Sequence, residues 1–179
     1  MNDHHQQLLD AALHTATRGW PVFPLRPGGK VPALQPDGRP GWEKSATTDH
    51  DRIRRIWKRD SYNVGLATGR TDRLSGLAVL DIGDGKAFRD LCAEHDQPVP
   101  HTRIVRTAAG RTHLYFTAPV GVLLPSGTGP LPSPITLHAA GGYVVASGSV
   151  IGGRSYATVG PALLYPLPGW LQHLLIPRR

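Results

Sequence analysis

The chain has 179 residues, of which 40% are apolar and 18% charged, a composition that fits a folded globular domain and excludes a disordered chain. Its single cysteine, Cys92, excludes an internal disulfide framework and a cysteine-based zinc site. The net charge of +7, from 20 Lys+Arg against 13 Asp+Glu, suits a polyanionic partner such as nucleic acid or nucleotide phosphates, and equally suits plain solubility.

Met1 is followed by polar residues, and no run of about 18 apolar residues occurs, so a cytoplasmic protein is expected. With 21 Gly and 17 Pro, many turns, short strands and few long helices are predicted. No repeat and no long linker divides the chain, and residues 1–179 are read as one domain.

In chain order, residues 3–18 predict an amphipathic helix with Leu9, Leu13 and Ala16 on one face. "GWPVFPL" (19–25) predicts a short strand, and "RPGGKVPALQPDGRPGWEKSA" a loop rich in turn residues. "TTDHDRIRRIWKR" opens with N-cap residues and puts Ile53, Ile56 and Trp57 on one helical face, leaving Arg52, Arg54, Arg55 and Lys58 mostly outside. "YNVGLATG" (62–69) and "LAVLDI" (77–82) predict buried strands joined by a polar turn. A helix from Lys86 to Glu94 would bury Phe88, Leu91 and Cys92. "TRIVRTAAGRTHLYFTA" (102–118) predicts an antiparallel pair around "AAG". Its second strand sends Thr112, Leu114 and Phe116 to one face, His113 and Tyr115 to the other. After a Pro/Gly-rich loop, "ITLHA", "GGYVVAS" and "RSYATV" read as strands, and residues 168–175 as a closing helix. The expected class is α+β, with one mixed sheet backed by helices.

A carboxylate at the end of a strand as apolar as "LAVL" is costly unless it is paired, capping or facing a cleft. Asp81 therefore reads either as an oxygen ligand for Mg²⁺ or Mn²⁺ or as a cap for the helix that follows. His113 reads either as a half-buried strand residue or as a phosphate-contacting group helped by Arg111 and Arg106. Lys30 sits on a Gly-rich loop, "RPGGKVP", that lacks the GxxxxGK[ST] phosphate-loop pattern. Ser147 and Ser149 follow a Gly pair that permits a sharp bend, and no Ser/His/Asp or Cys/His arrangement stands out.

The segments "GWPVFPLRPGGKVP" (19–32), "GWEKSATTD" (41–49), "IRRIW" (53–57), "NVGLATG" (63–69), "GLAVLDI" (76–82), "TAAGRTHLYF" (107–116) and "GGYVVASGS" (141–149), in that order, resemble the N-terminal domain of bifunctional DNA primase/polymerases. This is the Prim-Pol branch of the archaeo-eukaryotic primases of plasmids and phages. The resemblance spans about residues 18–160. It implies an RRM-like mixed sheet with flanking helices and an α/β N-terminal portion. It also implies template-directed nucleotidyl transfer by two divalent cations about 3.5–4 Å apart.

Carried over, the first metal carboxylate falls on Asp81 and the nucleotide-binding histidine on His113. The second carboxylate falls on Gly83, with Asp84 one position late, and the third on Thr136, with His138 where an Arg would stand. The serine of the Ser-x-His motif falls on Arg111. The resemblance thus assigns Asp81 and Asp84 to weakly bound Mg²⁺ or Mn²⁺, and His113, Arg111 and Lys30 to the nucleotide. Arg52, Arg54, Arg55 and Lys58 would meet DNA. The expected function is a primase/polymerase-like domain in plasmid, phage or mobile-element replication with weak or absent catalysis. The alternatives are a non-catalytic DNA- or nucleotide-binding module, beside a separately encoded helicase or replication protein, and a structural domain docking through Trp20, Trp42 or Trp170.

Overall fold

The computed structural model describes residues 3–33, 41–69 and 76–176. They form two compact units: 1–67 with 143–157, and 68–142 with 158–179.

In the first unit, α1 (Asp3–Thr17) buries Leu8, Leu9, Ala12 and Ala16, four positions at helical spacing. Strands β1 (Val22–Leu25), β2 (Asn63–Ala67) and β7 (Tyr143–Val145) make an antiparallel sheet in the order β1-β2-β7. The short α2 (Trp42–Ser45) and α3 (His50–Trp57) complete the unit. Asp49 caps α3, its carboxylate accepting from Asp51 N and Arg52 N. Ile53 and Trp57 are fully buried, whereas Ile56 is only half-buried. The ring of Phe23 lies so close over Gly65 that a Cβ there would come within 2.4 Å of it, so β2 needs a glycine at that point. The small β8 (Val150–Ile151) and β9 (Arg154–Ser155) pair with each other.

The second unit is built on a sheet of six strands in which β10 (Ala157–Thr158), β4 (Arg103–Arg106), β5 (Thr112–Thr117), β3 (Leu77–Ile82) and β6 (Ile135–His138) run in that order. The sixth, β11 (Tyr165–Pro166), lies parallel to the end of β5, which makes the sheet mixed. The pairs β4–β5, β5–β3 and β3–β6 are all antiparallel.

Period-2 alternation divides this sheet into two unlike faces. Ala78, Leu80, Ile82, Leu114, Phe116, Ile135 and Leu137 form one core with Phe88, Leu91 and Cys92 of α4 (Gly85–Glu94) and with Leu171 and Leu175 of α5 (Gly169–Leu175). Val79, Asp81, His113, Tyr115, Thr136 and His138 occupy the other face, the one opposite these helices.

Most predicted elements are present, with three corrections, the first being that "RSYATV", read as one strand, is two short strands, β9 and β10, broken at Tyr156 and paired in different sheets. The strands divide into two principal sheets rather than one: β2 and β3, read as neighbours joined by a turn, belong to different sheets. The loop before residue 46 also contains a helical turn, α2. The turn read between β2 and β3 lies largely outside the described residues.

Candidate active site

Asp81 is the fifth residue of β3, flanked by a strand on either side. The register sets it opposite His113 of β5 and opposite Thr136 of β6. The five residues of the hairpin turn 107–111 then aim Arg111. Thr107 N donates to Arg111 O at 2.9 Å, Arg111 N donates to Thr107 Oγ1 at 3.0 Å, and Gly110 takes a left-handed φ of 81°.

Because Ile82 pairs with Thr112 and Ile135, one step further along both ladders brings Arg111 and Pro134 beside Gly83. Residue 83 shares a face with residue 81, so Arg111 is a diagonal neighbour of Asp81, within reach of a long side chain. Arg111 Nε donates to Asp81 Oδ1 at 2.8 Å, and Nη2 donates to Pro134 O at 3.1 Å. The guanidinium lies directly over Gly83: a Cβ at that position would sit 2.2 Å from Nη1 and 2.8 Å from Cζ.

His113 Nε2 is 3.7 Å from the same carboxylate oxygen. Burial holds its imidazole down to about 4, against the opposing pull of Asp81 and with His138 and Arg111 adding to the depression. It is therefore neutral at neutral pH, and its contact with Asp81 is dipolar rather than ionic. His138 is lowered too, first by burial.

Asp84, expected beside Asp81, is instead the N-cap of α4 and accepts from Lys86 N at 2.8 Å. Lys30 belongs to the first unit, on an exposed turn closed by Arg26 N to Val31 O at 2.9 Å. Asn63, fully buried, pins that turn by donating to Gly29 O at 2.9 Å, while Tyr143 Oη donates to Lys30 O at 3.2 Å. Sequence reasoning missed Asn63; the signal available was a polar residue opening an otherwise apolar strand. Ser149 is fully buried and accepts from Val64 N, a structural role. Arg52, Arg54, Arg55 and Lys58 lie on the exposed side of α3, and Arg54 pairs with Asp51 at 3.0 Å. Trp42 stacks on Phe23, and Trp170 packs at a tilt against His95. Trp20, Trp42 and Trp170 are all half-buried.

The family profile described as bifunctional DNA primase/polymerase, N-terminal (Prim-Pol), matches residues 12–170. The α+β fold and the ordered motifs agree with it, and the chain belongs to that family. No protein with a curated description matches it. Among the described residues, no helix is long and apolar enough to cross a membrane.

Members of this family are expected to hold divalent metal, and the residues present do not fit one. Among the described residues no group of three or more His, Cys, Asp or Glu could hold a metal ion. The carboxylate of Asp81 already has a cation on it, and the space for a second ligand at residue 83 is filled by the same guanidinium.

Proposed function

We propose that this chain is a nucleotide- and DNA-binding member of the primase/polymerase family whose nucleotidyl transfer is weak or absent. It would bind Mg²⁺ or Mn²⁺ only weakly and serve plasmid, phage or mobile-element replication alongside a separately encoded helicase or replication protein. The observation that carries this reading is the Asp81–Arg111 ion pair on the sheet face that would hold the metals. A pair of dications needs several anionic ligands around it, and here one carboxylate remains, already neutralised.

The retained parts suit binding. The basic residues of α3 are solvent-exposed, as DNA phosphates require. On the second unit, His113 and His138 lie on the sheet face that carries the Asp81–Arg111 pair, and the guanidinium N–H groups not bonded to Asp81 and Pro134 are left to meet phosphate oxygens.

The test pairs two assays on the purified chain. In primer extension with Mg²⁺ or Mn²⁺ at high enzyme concentration, only trace incorporation is expected. In titrations of single-stranded and primed DNA, affinity should fall steeply with salt, and charge reversal at Arg52 and Arg55 should flatten that dependence. Efficient extension abolished by Asp81→Ala would refute the weak-catalysis reading; absent or salt-independent DNA binding would refute the binding role.

A further inference from the structure

The pairing of Gly83 with Arg111 does not look like the remains of an eroded site. Loss of ligands alone would leave Asp81 facing solvent or a cleft. Instead its carboxylate receives Arg111 Nε at 2.8 Å, the guanidinium is fixed at its other end by Pro134 O at 3.1 Å, and the Arg111 backbone N donates to Thr107 Oγ1 in the turn before it. Gly83 is the condition for this arrangement. Any side chain there would start 2.2 Å from Nη1 and 2.9 Å from Pro134 Cγ, and would displace the guanidinium from its position over residue 83. The absence of a side chain at 83 and the presence of a long cation at 111 are two halves of one exchange across the β3–β5 ladder.

We propose that Arg111 is a resident cation: its guanidinium permanently takes the place of a divalent ion on Asp81, and the site is metal-excluding by construction rather than by decay. This rests on the proposed function in taking the Asp81 face as the former metal face. The charge logic is direct. An incoming dication finds one carboxylate, already neutralised by a guanidinium that must be pushed aside. A second carboxylate at 83 would push the guanidinium off residue 83 but not off the acids, because a fork with five N–H donors can move outward and bridge both. Metal affinity should therefore respond to position 83 only after position 111 is emptied.

Manganese titration followed by electron paramagnetic resonance tests this on the full chain, with no need for activity. The wild-type protein and Gly83→Asp should bind Mn²⁺ equally weakly. Arg111→Gln should bind more tightly, and Gly83→Asp/Arg111→Ser more tightly again, by roughly tenfold or more over wild type. Adding Asp81→Asn should abolish the gain. Tight Mn²⁺ binding by the wild type, or a Gly83→Asp gain with Arg111 intact, would overturn the proposal. So would well-folded Arg111 variants that bind no better than wild type. Should Arg111→Gln not fold, the double variant decides, since its carboxylate at 83 restores a partner near Asp81. Should neither fold, wild type and Gly83→Asp decide: equally weak binding by both upholds it. A chain that fails to bind DNA would defeat the functional reading yet leave these titrations unchanged, so the two failures are separable.

Discussion

Arg111, at the end of the turn that leads into β5, stands diagonal to Asp81 of the neighbouring β3, with Nε 2.8 Å from Oδ1; their side chains are 34% and 18% exposed. Partial exposure limits what the pair contributes, but removing one partner leaves a partly buried charge unpaired. In chemical denaturation, Asp81→Asn and Arg111→Gln should each destabilise the protein by roughly 1–3 kcal/mol. The double variant should cost less than the sum, with a coupling of about 1 kcal/mol. Additive losses would mean that the two side chains do not support each other in solution.

Asp84 serves α4, and its replacement should read as a helix defect. Asp84→Ala removes the acceptor for Lys86 N and should lower stability by about 1 kcal/mol, whereas Asp84→Ser should restore most of it. Neither change should alter Mn²⁺ affinity. Denaturation and metal titration of the same two variants separate the cap from a ligand role.

The buried imidazole of His113 gives the fold an acid limit. Its neighbours include Asp81, Arg111 and His138, and burial outweighs the favourable carboxylate to hold it at about 4, below its ordinary 6.5. Between those two values the unfolded chain binds more protons than the folded one, so stability must rise with pH. The contribution is complete above 6.5 and lost as pH falls toward 4, amounting to roughly 3 kcal/mol at about 1.4 kcal/mol per pH unit. His138 is depressed in the same direction and adds to the slope. Urea midpoints at several pH values should show this dependence, and His113→Gln should flatten most of it.

Much of the fold was legible because period and punctuation agreed. The apolar run "LAVL" before Asp81, the alternation in "THLYFT" and the turn residues "TAAG" were enough to place β3, β5 and the β4–β5 hairpin. They also put His113 on the opposite face from Leu114 and Phe116, as found. The division into two sheets was not legible, since nothing in "NVGLA" or "LAVLDI" encodes which neighbour each strand chooses.

At the site, Asp81 and His113 were each recognisable as a candidate, and the resemblance implied missing carboxylates at 83 and 136. The Asp81–Arg111 ion pair could not be read, because the position of Arg111 relative to Gly83 depends on the register between two strands about thirty residues apart. With that register in hand, the arithmetic is simple: a glycine sits opposite an arginine, one step past the ladder, beside an aspartate. The ligand-or-cap alternative was placed on Asp81 and Asp84 was assigned to the metal, whereas the cap of α4 is Asp84.

Thermal unfolding of the wild-type chain with added MnCl₂ is the most direct check on the claim that a guanidinium, and not a metal, neutralises Asp81. Any ion that binds only the folded state raises the melting temperature, by an amount that grows as the logarithm of one plus its concentration over its Kd. The transition should be the same in millimolar Mn²⁺ as in chelator. A clear upward shift that disappears in Asp81→Asn would contradict it.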